Sequence, residues 1–153
     1  MTLSHPRLLA FAFALTALGC GNSSPAPSDA AISPDAAASP AFCGPSGFVD
    51  QRGMGEVTVS FGGELGSAPF GYTPACVTVN VGQAIRFVGG FNTHPLSPGT
   101  SPTDASGSAG SPIVRTTSGT ELRFTATNAG EFPYYCELHF AGNMRGIVRV
   151  VAP

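Results

Sequence analysis

The chain of 153 residues has little charge of either sign. Asp and Glu together number nine and the basic residues seven, all of them arginine, which leaves a formal net charge of -2. Proteins that bind nucleic acid need a strongly basic face, so this balance argues against that class. No long stretch has the periodicity of an amphipathic helix, whereas Gly (20) and Pro (14) are plentiful. These features favour one all-β domain of short strands joined by turns.

The chain also has no apolar run at its N-terminus that is long enough to cross a bilayer as a helix. Arg7 precedes an apolar run at residues 8–18, which has the length of the hydrophobic region of a secretory signal. We therefore predict a signal peptide at residues 1–19 and export from the cytoplasm. The sequence Leu18-Gly19-Cys20 resembles the end of a bacterial lipoprotein signal, in which Cys20 becomes the lipidated first residue. The alternative is ordinary cleavage, which would release a soluble secreted protein.

Residues 20–42 consist mostly of Ala, Ser and Pro. A segment of this composition has no periodic apolar face to bury, so we predict a disordered tether that lies outside the fold. The folded domain is then expected at residues 43–153.

Within this domain, segments 56–61, 76–81 and 121–127 alternate polar and apolar residues with a period of two, which is typical of half-buried strands. Further strands are predicted at residues 84–88, 132–136 and 146–151. A long polar loop is predicted at residues 95–112, followed by a short edge strand at residues 113–116. The number and spacing of these elements predict a Greek-key β-sandwich of about seven to eight strands.

Near the C-terminus, three possible metal ligands lie close together in the chain. Two residues separate Cys136 from His139, and four separate His139 from Met144. A thiolate, an imidazole and a weakly bound thioether are ligands of blue-copper electron-transfer sites. Such a site needs one more histidine, and beyond the predicted signal the only other one is His94. The sequence therefore predicts one type 1 copper ion bound by His94, Cys136, His139 and Met144.

The residues around these ligands resemble those of the plastocyanin-type cupredoxins. In the C-terminal half, the resemblance rests on Gly130, Phe132, Tyr134, Tyr135, Cys136, His139, Met144 and Gly146, followed by a Val-rich strand. Earlier in the chain, residues 77–94 resemble the family's hairpin that ends at its first copper histidine. The resemblance implies an eight-stranded sandwich with copper near one end.

The four cysteines can be assigned on this basis. Cys20 fits the predicted signal and Cys136 fits copper, so Cys43 and Cys76 remain as the expected disulfide of an exported domain. The alternative is that Cys136 pairs with Cys43 or Cys76 in a plain disulfide-linked β domain.

The expected function is one-electron transfer between redox proteins outside the cytoplasm, by a monomer that is periplasmic or lipid-anchored and is not itself an enzyme. Partners are expected to dock near His139 and Phe140, and the membrane is contacted only through the possible lipid anchor. The alternatives are copper storage, delivery or sensing, and a structural sandwich without a redox role. Pro95 stands where many cupredoxins have Asn, and it has no N–H to donate. We therefore expect fewer hydrogen bonds to the Cys136 sulfur and a high reduction potential.

Overall fold

The computed structural model describes residues 42–104 and 108–153, which form two β-sheets. The strands in this part of the chain are β1 (Val49–Asp50), β2 (Val57–Phe61), β3 (Tyr72–Thr73), β4 (Cys76–Asn80), β5 (Ala84–Val88), β6 (Leu96–Pro98), β7 (Glu121–Thr125), β8 (Gly130–Cys136) and β9 (Arg145–Val151). Helical structure in the described residues is limited to two 3-10 turns, Glu64–Gly66 and Phe140–Gly142. The predicted all-β fold is confirmed.

The two sheets are mixed. The five-stranded sheet has the order β1-β4-β9-β8-β6, and the four-stranded sheet has the order β3-β2-β5-β7. In the first sheet β4 runs parallel to β1 and β9, whereas β8 is antiparallel to both β9 and β6. In the second sheet β2 and β5 are parallel, and the strands at the two edges are antiparallel to their neighbours. The chain therefore crosses between the sheets several times.

The alternating side chains of both sheets meet in one apolar core. Val57, Val59 and Phe61 on β2 are buried, as the period of two predicts, and they belong to the same cluster as Val77 and Val79 on β4. Aromatic rings strengthen the contact between the sheets, because such pairs add to the free energy of burying apolar area. The clearest example is Phe87 on β5, whose ring centroid lies 4.9 Å from that of Tyr134 on β8.

A loop was predicted at residues 95–112, and this prediction was wrong for the first residues of that range. Leu96–Pro98 forms β6, in which Leu96 pairs with Cys136 and has its side chain fully buried. The predicted edge strand at residues 113–116 contributes only an isolated bridge between Thr116 and Leu96. Strand β6 matters for the site, because it fixes the segment after His94 beside β8.

The predicted disulfide between Cys43 and Cys76 is confirmed, and its Cα atoms are 6.1 Å apart. Both residues are buried with Ile147 in a small second cluster. The bridge spans 33 residues, for which the chain-entropy model gives a stabilisation of about 3–4 kcal/mol. Cys136 is a free cysteine, so the alternative pairing is excluded.

The predicted signal peptide, the lipidation of Cys20 and nearly all of the predicted tether lie outside the described residues and stay predictions. Phe42, the last residue of that tether, packs beside the Cys43–Cys76 cluster. Within the described residues, no helix has the length and apolar character needed to cross a membrane.

Candidate metal centre

Three of the four predicted ligands come from the loop that joins β8 to β9. Cys136 is the last residue of β8, His139 precedes the 3-10 turn Phe140–Gly142, and Met144 precedes β9. The loop is closed by its own backbone. The Cys136 N–H donates to the carbonyl of Met144 at 2.9 Å, and the Met144 N–H donates to the carbonyl of His139 at 3.2 Å.

His94 reaches the same place from the other direction. It lies in the connection from β5 in one sheet to β6 in the other, and its backbone N–H donates to the carbonyl of Gly90 at 3.0 Å. The Thr93 hydroxyl also donates to this carbonyl, at 3.0 Å. This hydrogen bond lies within the turn that carries His94 and does not reach the Cys136 loop.

These segments bring His94, Cys136 and His139 together. Their candidate ligand atoms all lie within 4.8 Å of one another. The Cys136 sulfur is 3.4 Å from Nδ1 of His139 and 4.0 Å from Nδ1 of His94, so both imidazoles turn the same nitrogen toward the thiol. Cys136 and His94 are buried, whereas His139 is partly exposed. The site therefore has a closed side at His94 and an accessible side at His139.

Met144 is fully buried and packs in the same core cluster as Cys136. The backbone bonds described above hold it at the far end of the ligand loop. Its place in the loop agrees with the predicted ligand set, and coordination by its thioether stays a prediction.

Burial shifts the pKa values of two of the ligand groups, Cys136 and His94. It raises the pKa of the Cys136 thiol, and hydrogen bonds from the backbone N–H groups of His139 and Leu138 oppose this rise. It lowers the pKa of His94, and the nearby His139 lowers it further. The cluster thus favours a neutral imidazole, whose lone pair is available, and a thiol that must lose its proton when a metal binds.

Within its own loop, the backbone N–H groups of Leu138 and His139 donate hydrogen bonds to the Cys136 sulfur. Pro95 has no N–H to donate, and its carbonyl accepts from the Glu137 N–H at 2.9 Å. The expectation of a high reduction potential stays a prediction.

The connection between β2 and β3 covers His94. This contact was not predicted from the sequence. At Gly62 the backbone has a φ of +68°, and a Cβ there would lie 3.2 Å from Nε2 of His94. Phe70, in the same connection, is 61% exposed, and its ring centroid is 4.9 Å from that of His139 and 6.3 Å from that of His94. The glycines of this connection were the sequence signal of a special backbone conformation here, and Gly62, Gly63 and Gly66 all have a positive φ.

The donor set fits copper. One soft thiolate with two imidazoles suits a blue copper centre, and the described residues contain no further histidine or free cysteine for a different kind of site. The three residues look like a blue copper site.

Neither a protein-family model nor a curated protein matches the sequence. Among solved structures, the chain is similar to pseudoazurin from Methylobacterium extorquens AM1, with 28% identity over 62% of this chain and 74% of that chain and a TM-score of 0.44. Pseudoazurin from Hyphomicrobium denitrificans is 22% identical over 64% of this chain and 77% of that chain, with a TM-score of 0.46.

A copper-containing nitrite reductase from Thermus scotoductus SA-01 is also similar, with 25% identity over 64% of this chain and a TM-score of 0.41. Only 23% of that enzyme's length is covered. At these TM-scores, the assignment of the site depends on its own donor atoms and not on the similarity.

Proposed function

We propose that this protein is a type 1 copper protein that carries single electrons between redox partners outside the cytoplasm. The observation that carries the proposal is the buried Cys136 thiol between two imidazole Nδ1 atoms, at 3.4 and 4.0 Å. Export is proposed because residues 1–19 read as a signal, and because the Cys43–Cys76 disulfide suits an oxidising compartment.

In this proposal His94, Cys136 and His139 would hold the copper, and the Met144 thioether would be a weaker fourth ligand. Copper would supply a one-electron change of oxidation state. The contribution of the chain is to keep the ligands in place in both states. His94 is held by a turn and by buried neighbours, and the other three lie in a loop closed by backbone hydrogen bonds. A protein that moves little when the electron arrives or leaves is suited to fast transfer.

The test is a visible absorption spectrum of the purified protein with Cu(II) added. We expect an intense blue band from thiolate-to-copper charge transfer, and its reversible disappearance and return over repeated reduction and oxidation. A colourless protein that binds no copper would favour the structural sandwich. A protein that loses its copper whenever it is reduced would favour storage or delivery.

Met144→Gln tests the fourth ligand. We expect this variant to keep copper and a blue band but to have a lower reduction potential, because an amide oxygen would stabilise the oxidised ion more than a thioether does. The measurement is a potentiometric titration. Met54→Gln is the matched control, because Met54 is exposed and lies in a turn between β1 and β2. Equal potentials for the two variants would contradict coordination by Met144.

We also propose that redox partners dock on the accessible side of the site, near His139 and Phe140. Two exposed apolar side chains support this location, Leu138 in the ligand loop and Phe70 beside His139. An apolar patch around a partly exposed ligand would let two proteins exclude water between their redox centres.

We expect Leu138→Lys to slow electron self-exchange between copies of the protein about tenfold, within the range over which interface variants alter association rates. Val49→Lys is the control, because it adds the same charge on β1, at the opposite edge of the five-stranded sheet from β6. Line broadening in NMR spectra of mixed oxidised and reduced protein measures the rate. Equal slowing by both variants would indicate a general charge effect and would contradict docking at Leu138.

A further inference from the structure

Glu137 directly follows the ligand Cys136, but its carboxylate is held by residues from two other segments. Arg115 donates to it through two nitrogens, with Nε 2.6 Å from Oε1 and a terminal nitrogen 2.9 Å from Oε2. The Ser97 hydroxyl donates to the same Oε1 at 2.5 Å. The Glu137 backbone N–H donates to the Pro95 carbonyl at 2.9 Å. One residue of the ligand loop is thus bonded to the segment that follows His94 at two points.

The strand register explains how these groups meet. β6 lies beside β8, with Leu96 opposite Cys136 and Ser97 opposite Tyr135. Ser97 is therefore the diagonal neighbour of Glu137 on one face of the sheet, within reach of a long side chain. On the other side of β6, Thr116 and Leu96 exchange two backbone hydrogen bonds of 2.9 Å. This pairing brings Arg115 level with Ser97, so its guanidinium spans β6 to reach Glu137.

The backbone pairing of the strand that follows His94 is short. β6 has three residues, and prolines at positions 95 and 98 cannot donate backbone hydrogen bonds. A guanidinium that binds both oxygens of a carboxylate is a directional contact, because its fork matches the carboxylate geometry. The buried Ser97 hydroxyl adds a third, charge-assisted bond. These side chains therefore supply restraint where backbone pairing is short.

We propose that Arg115, Glu137 and Ser97 form a brace that positions the His94 segment against the Cys136 loop and so sets the geometry of the metal site. The proposal rests on the function proposed above. The three side chains are positioning residues and do not touch the metal. Arg115 is 62% exposed, and an exposed ion pair of this kind contributes little to the free energy of unfolding. The brace should therefore influence the site more than the stability of the whole domain.

Glu137→Ala, which removes both side-chain contacts, is the principal test. We expect Cu(II) affinity, measured by chelator competition, to fall roughly tenfold, the lower end of the loss seen when outer partners of metal ligands are removed. The reduction potential should also shift. In the metal-free protein, we expect the Leu96 amide to exchange with solvent roughly tenfold faster relative to the Val79 amide in the core. This exchange measurement needs no copper, and the ratio of the Leu96 rate to the Val79 rate corrects for global unfolding.

Arg115→Gln is the second variant. Because the Arg115 side chain is exposed, this substitution should not prevent folding. We expect a smaller effect, about threefold on Cu(II) affinity, since it removes only the ion pair. The chain offers a closely matched control in Arg123→Gln. Arg123 binds Glu56 through the same two-nitrogen fork, with distances of 2.6 and 2.9 Å, and is 57% exposed, but it lies on β7 in the other sheet. This control should change neither affinity nor exchange at Leu96.

A blue wild-type protein whose affinity is unchanged by Glu137→Ala would overturn the brace and leave the proposed function intact. A wild-type protein without a blue band would overturn the proposed function. The brace would then be judged by exchange at Leu96 alone, which supports it if accelerated in Glu137→Ala and overturns it if unchanged. Equal losses in Arg115→Gln and Arg123→Gln would also overturn it, because they would show a general effect of surface charge.

Discussion

Serine in place of Cys136 should remove the blue absorption band of the copper-loaded protein completely. The band requires a thiolate bound to copper, and a serine hydroxyl neither ionises at neutral pH nor offers a soft donor. Cys136 contributes the sulfur that lies 3.4 Å from Nδ1 of His139 and 4.0 Å from Nδ1 of His94. We expect the loss of this donor to weaken Cu(II) binding by more than the ~100-fold that loss of an outer partner can cause. Absorption spectroscopy and chelator competition measure the two effects.

The matched control for Cys136→Ser is the double variant Cys43→Ser, Cys76→Ser. It removes the disulfide, and with it about 3–4 kcal/mol in the chain-entropy model, but it leaves the free Cys136 thiol in place. We expect this variant to be less stable and still blue. A blue Cys136→Ser protein would contradict the ligand assignment. A colourless, folded double variant would show that the colour depends on the disulfide and not on the Cys136 thiol alone.

The metal cluster could be predicted because its main part is local in the sequence. Cys136 and His139 are separated by two residues in one hairpin loop, so their side chains meet wherever that loop is placed. His94 was found by elimination, because the sequence beyond the predicted signal offered a single other histidine, and through the resemblance of residues 77–94 to the cupredoxin hairpin. Its approach to within 4.8 Å depends on the packing of two sheets, which no local pattern encodes.

The surroundings of the cluster also depend on packing between distant segments, so the sequence did not predict them. Phe70 touches His139 from a Gly- and Pro-rich connection whose path is set by tertiary contacts. Glu137 and Arg115 are 22 residues apart, and nothing in their spacing distinguishes them from the other charged residues on the surface. Their pairing depends on β6, a three-residue strand that is too short to show alternation.

The longer strands could be predicted from the sequence, and the shortest ones could not. Strands of five residues such as β2 and β4 alternate and were predicted nearly to their ends. The two-residue strands β1 and β3 have no period to detect, and they form because longer neighbours offer them backbone partners. Short elements of this sandwich are thus consequences of the fold, whereas the long ones determine it.

Gly146 shows how closely the backbone is packed next to the ligand loop. It lies on β9 opposite Tyr134, and a Cβ added there would overlap both the Ala75 carbonyl oxygen and the phenol end of Tyr134. Neither can move easily. The Ala75 oxygen accepts hydrogen bonds from the Tyr134 hydroxyl at 2.7 Å and from the Ile147 N–H at 3.0 Å. The Tyr134 ring is fully buried, with the Phe87 ring 4.9 Å away.

Gly146→Ala should therefore lower the free energy of unfolding by about 2–6 kcal/mol, since overpacking costs about 1–3 kcal/mol and a buried hydroxyl without a partner about as much again. Urea unfolding followed by circular dichroism measures the loss. Gly55→Ala is the control, because a Cβ there meets no atom within 4 Å and its effect should stay within about 0.5 kcal/mol. Similar unfolding midpoints for the two variants would contradict this account of the packing. Since β9 begins directly after Met144, the same substitution should also disturb the copper spectrum, which Gly55→Ala should leave unchanged.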